Sequence, residues 1–169
     1  MSISQPLLAE FDQEMAITRR ALERVPDDKF SYQPHPRSMT MGRLVSHLAE
    51  IPMWGAMTVQ RTEIDIKPIG APEFVLHMCK SQADLLATFD KNREDARAAI
   101  AAATDEQWMV PWSLKAAGNT IFTLPRIAVM RSFVFSHSIH HRGQLSVYLR
   151  LNDIPVPSIY GPSADEGNM

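Results

Sequence analysis

Cysteine is nearly missing: Cys79 is the single thiol in 169 residues, which excludes an intrachain disulfide framework and any cluster of thiolates. A metal bound here must then be held by histidine and carboxylates, and a reducing cytoplasm is the expected compartment. Long hydrophobic runs are missing too. No stretch reaches the roughly 18 uninterrupted apolar residues of a membrane span, and Met1 to Glu10 shows no basic region followed by an apolar run, so neither membrane insertion nor secretion is expected. Charge of one sign is nowhere concentrated: 17 Lys and Arg against 19 Asp and Glu are spread along the chain, for a net charge of −2. Nucleic acid is therefore not an expected partner, because phosphate binding depends on gathered positive charge. Internal repeats and low-complexity tracts are also lacking.

What is present is an ordinary globular composition, 45% hydrophobic and 21% charged, long enough to bury a core without covalent staples. The expected organisation is one domain over residues 1–152, followed by an extended tail, 153–169, that holds three Pro and two Gly. Leu8, Phe11, Met15, Thr18, Leu22 and Val25 draw one apolar stripe on a first helix, with Ser4 as its expected N-cap and Val25-Pro26 as its stop. Pro26, Pro34 and Pro36 mark a long ordered connection, enough chain to cross a bundle end. Thr40 caps a second helix carrying Leu44, His47, Leu48, Ile51 and Trp54, with Pro52 inside it. Residues 62–80 read as a connection, and Ser81 with Asp84 as a capping pair for a third helix through Leu85, Phe89, Ala96 and Ile100. Between Trp108 and Thr123 the pattern changes to a small hairpin or an extended loop around Ala117-Gly118-Asn119. Thr123 and Pro125 open the last helix, which runs to about Leu151.

His137 and His141 are four residues apart on that last helix, which turns both imidazoles to one face. With six His in the chain, about 0.2 such pairs arise by chance, so the spacing alone is a weak signal. It gains from His47, which lies on the apolar face of the second helix beside Leu44, Leu48 and Ile51. Three imidazoles entering one interior lose hydration and invite a shared cation or a polar network. Three neutral imidazoles leave a divalent ion with a free coordination position, the pattern of catalytic zinc.

The string Ser136-His137-Ser138-Ile139-His140-His141-Arg142-Gly143-Gln144-Leu145, followed by Tyr148-Leu149-Arg150, resembles the last-helix signature of the DinB/YfiT-like superfamily. That name denotes the bundle metalloproteins, not the translesion polymerase that shares it. Met41 to Pro52, the Arg37-Ser38-Met39-Thr40 entry and the ending Tyr160 to Glu166 resemble the same family. The resemblance implies an all-α four-helix bundle with a long crossover connection, often a homodimer, holding one divalent transition metal, zinc or nickel, on His47, His137 and His141. It further implies a metal-dependent transferase acting with a low-molecular-weight thiol, or a hydrolase. The alternative is a non-catalytic stress or scaffold protein whose ion stabilises the bundle.

Around these residues, Glu50 is a candidate for orienting an imidazole or acting as a general base, although a solvated helix face is the expectation for it. Trp54 and Tyr148 are candidate pocket walls, with core packing favoured. His140 is rotated by about 100° from the stripe, and His35 and His77 are expected at the surface. Gly143 suggests a close helix approach beside the site, Arg142 a salt bridge, and the Trp-rich segment 108–112 a dimer surface or a lid.

Overall fold

The structure, a computed structural model, describes residues 2–167. Helix α1, Ser4–Leu22, buries Phe11, Met15, Thr18 and Leu22 of the anticipated stripe, with Leu7 in place of the expected Leu8, which is only partly buried. Ser4 is not its cap. Its hydroxyl donates to the Ala103 carbonyl and accepts from the Trp108 indole at 2.8 Å, tying the start of α1 to the far end of the third helix. Thr40 caps α2, Met41–Gln60, by accepting from the Arg43 amide, and Ser81 caps α3, Gln82–Ala102, by accepting from the Asp84 amide. Each such cap is worth about 1 kcal/mol.

Gly42 lets the 26–40 connection lie on the first turn of α2. Its amide donates to the Phe30 carbonyl at 2.8 Å, and a Cβ there would stand 3.0 Å from that oxygen.

Short helix α4, Asp105–Met109, precedes two strands, β2 at Pro111–Ala116 and β3 at Asn119–Pro125, joined through Ala117 and Gly118. Both turn residues have positive φ, 50° and 77°, the signature of the two-residue turn that matches hairpin twist. A third strand, β1 at Glu63–Asp65, pairs in parallel with β2. The all-α expectation is therefore corrected: the fold is helix-rich with a small three-stranded sheet. The connection 62–80 concealed β1 because three residues are too few for a period-2 pattern to register.

The last helical segment is not uniform. It opens as α5, Arg126–Val129, widens into a π-helical stretch over Met130–Ser136, and continues as α6, His137–Arg150. Thr123, expected to open it, belongs to β3. Packing runs from α1 to α3, α3 to α2, α2 to α6 and α6 back to α1, which encloses one core. Trp108 and Trp112 are both fully buried in it, so the Trp-rich segment presents no aromatic surface. Gly143 is exposed and a Cβ there would meet nothing. The close helix approach is at Gly55 instead, where a Cβ would lie 3.5 Å from Ala96 and from Met130.

Residues 154–167 form no helix or strand, yet they lie against the body through Arg150 with Asp165, Arg20 with the Ser158 carbonyl, and Arg24 with Glu166. The deepest of these links is polar. Arg142, 1% exposed, donates to the Glu14 carboxylate at 2.7 Å and to the Thr18 hydroxyl at 2.9 Å, while the Tyr160 hydroxyl donates to the same carboxylate at 2.8 Å. Among the described residues, no helix is long and apolar enough to cross a membrane.

Candidate metal centre

Three imidazoles meet where α2 faces the start of α6. His47 is held on α2 between Leu44, Leu48 and Ile51, all fully buried, and His137 and His141 project from successive turns of α6. One ring nitrogen from each lies within 4.8 Å of the other two. His47 Nε2 and His137 Nε2 are 3.1 Å apart, and the ring centroids are 4.6 to 4.9 Å apart pairwise. Two atoms bound at about 2.0 Å to one tetrahedral ion lie about 3.3 Å apart, so the closest pair already stands at nearly that separation.

The remaining ring nitrogens show which lone pairs are free. His141 Nδ1 faces Gln144 Oε1 at 2.7 Å; an amide oxygen only accepts, so Nδ1 carries the proton and Nε2 keeps its lone pair. The Phe133 carbonyl, one turn before His137, opposes part of the effect of burial on that ring. His47 Nδ1 is buried without a hydrogen-bond partner and lies 3.8 Å from the Glu50 carboxylate, whose two oxygens are equally unpartnered. Gln144 thus orients His141, and the Glu50 carboxylate stands behind His47, as carboxylates and amides do behind imidazoles that face a metal. Glu50 is 2% exposed, not solvated as expected. A buried carboxylate without a partner is costly, and a cation gathered by the three imidazoles would offset that cost.

The electrostatics agree with a donor set. Burial lowers the His137 pKa to about 4, reinforced by His47 and His141 nearby. Burial likewise lowers that of His141, with Gln144 partly opposing. Both rings are therefore neutral at pH 7 and have lone pairs to give.

The other candidates divide. Trp54 packs in the core against Phe74 and, at 5.4 Å between centroids, against Phe133, which in turn lies 5.6 Å from His137. It thus stands behind Phe133, which also touches Phe122 and Trp112. Tyr148 donates to the Met39 carbonyl at 3.0 Å and lines a groove of about 440 Å³ with Arg37, Ser38, Met39, Gln144 and Val147. Gln144 joins that groove to His141. His140 is exposed with its ring 4.9 Å from that of His141. Gln144, three residues after His141, was readable as a same-face neighbour.

Residues 126–168 match the DinB family and residues 10–145 the DinB superfamily. The chain is similar to the uncharacterised protein YrdA of Bacillus subtilis strain 168, at 24% identity over 94% of this chain and 89% of that one. Its fold is similar to a DinB-like protein of Bacillus cereus ATCC 10987, with TM-score 0.68 at 21% identity over 94% of this chain and 98% of that one. It is similar as well to the DinB-like protein YjoA of Bacillus subtilis, with TM-score 0.70 at 20% identity over 94% of this chain and all of that one. With residues 10–145, most of its length, matched to the family, the chain belongs to the DinB superfamily.

Proposed function

We propose that this protein holds one divalent transition metal, zinc or nickel, on His47, His137 and His141, and uses it as a thiol transferase or a hydrolase. The observation that carries the reading is the convergence of three imidazole nitrogens within 4.8 Å, from two helices, with Gln144 behind His141 and Glu50 behind His47. Neutral nitrogen donors suit this class of ion and not calcium or magnesium. Such an ion, when bound by three protein ligands, offers an open position in which a thiol or water becomes acidic enough to act as a nucleophile at neutral pH.

The chain supplies the rest. Gln144 orients His141, the Glu50 carboxylate stands behind His47, and Phe133 gives His137 an apolar neighbour. The groove past Gln144 and Tyr148 is the proposed approach for substrate, with Arg37 at its rim as a cation for an anionic group. We include a homodimer in the proposal, supported by the exposed apolar side chains of Met109, Ile121 and Leu124; sedimentation equilibrium tests it.

The function is tested on untagged, metal-loaded protein offered low-molecular-weight thiols with electrophiles, and separately esters and amides. Turnover that vanishes in His141→Ala while the circular dichroism spectrum persists is the expected result. A metal that raises the melting temperature with no turnover in either screen replaces the enzyme reading with that of a metal-stabilised scaffold.

A further inference from the structure

A second group of metal-ligating side chains lies at the end of the connection that leads into α3. His77, Cys79 and Asp84 each bring one ligand atom to within 4.8 Å of the other two. Their anchors are independent. The Cys79 amide donates to Ser46 Oγ at 2.9 Å, and that hydroxyl donates to the Gly42 carbonyl at 2.7 Å, so the cysteine is pinned against α2 and only 5% exposed. Asp84 sits in the first turn of α3, accepts from the Lys80 amide at 2.9 Å, and faces His77 Nε2 at 3.0 and 3.2 Å.

The His77 to Asp84 separation is again close to the roughly 3.3 Å between two ligands of one tetrahedral ion, so an ion can replace the proton this pair shares.

We propose that His77, Cys79 and Asp84 form a second metal site, for a thiophilic ion of the zinc class, that clips the 66–80 connection between α2 and α3. One sulfur, one nitrogen and one oxygen donor make a set that zinc accepts and that magnesium and calcium do not. Binding exchanges the Cys79 thiol proton for the ion and changes no oxidation state. The half-exposed His77 side chain leaves the site open to solvent, so the ion enters without unfolding. The site shares no ligand with the three-histidine centre and does not rest on the function proposed for it. It departs from the expectation that any metal here is held by histidine and carboxylates alone.

The test is a titration of the metal-free, full-length chain with Co2+, followed by absorption. A thiolate ligand gives a sulfur-to-cobalt charge-transfer band in the near ultraviolet that an all-histidine centre lacks. The expected result is a band that persists in His47→Ala/His141→Ala, disappears in Cys79→Ser, and is accompanied by protection of Cys79 from iodoacetamide when Zn2+ is added. His77→Ala, at a half-exposed position, is expected to weaken Zn2+ binding at this site at least tenfold with the fold intact, which keeps the test decisive should Cys79→Ser fold poorly. A full-length chain without the band, or a His77→Ala variant that protects Cys79 at the same Zn2+ concentration as the parent, overturns the proposal.

Discussion

Glu50 and His47 Nδ1 form an unfinished pair: both are buried, both lack hydrogen-bond partners, and they stand 3.8 Å apart. Glu50→Gln keeps the shape and removes the charge. It is expected to lower Zn2+ affinity by about 10- to 100-fold while leaving the metal-free melting temperature unchanged or higher, because the substitution removes a buried, unpaired carboxylate. Calorimetric titration alongside a thermal melt checks both, and equal affinity in the variant would remove Glu50 from the site. Arg142 is the opposite case, a buried cation whose partners are all present. Arg142→Ala strands Glu14 in the interior and is expected to cost about 3 to 5 kcal/mol in urea unfolding. At this scale the sequence was legible where chemistry follows spacing, as with His137, His141 and Gln144 on one helical face. It named Glu50 as a candidate but expected it solvated, because i and i+3 neighbours share a face whether that face meets water or the interior.

The π-helical stretch Met130–Ser136 ends where the ligands begin. One residue beyond α-helical spacing rotates everything that follows by about 100° relative to what precedes it, so this stretch sets the direction of His137 and His141 against the body anchored by α5. Deleting the exposed Ser132 is expected to restore regular α-helix, turn both imidazoles away from His47, and abolish stoichiometric Zn2+ binding while helical circular dichroism is retained. Unimpaired binding in that deletion would show the stretch to be incidental. The ordinary helices were readable from Thr40, Ser81 and the buried stripes, since capping and amphipathicity are local. The π stretch was not, because Met-Arg-Ser-Phe-Val-Phe-Ser has no local reason to widen; the reason lies in Met130 meeting Gly55 and Phe133 meeting Trp54 and Trp112. Strand β1 was hidden for a similar cause, since its register is set by β2, which lies about fifty residues later.

Across the whole molecule, protons and metal compete for the same nitrogens. His137 stays neutral down to about 4 in the fold, whereas an unfolded histidine takes up its proton near 6.5. Between those values the unfolded chain binds more protons, so stability from this group is full above about pH 6.5, falls as pH drops toward 4, and is level below. The lowered His141 pKa acts in the same direction. The urea midpoint of metal-free protein is therefore expected to decline from pH 7 to pH 4.5, and a flat profile would contradict the burial described for these rings. Trp54 meets Phe133, and Phe133 meets His137, at centroid distances of 5.4 and 5.6 Å, whereas Trp108 is bonded to Ser4 near the start of α1. The chain thus carries its own optical reporter: paramagnetic Cu2+ or Ni2+ on the histidines would quench the indole emission of Trp54, and colourless, diamagnetic Zn2+ would not.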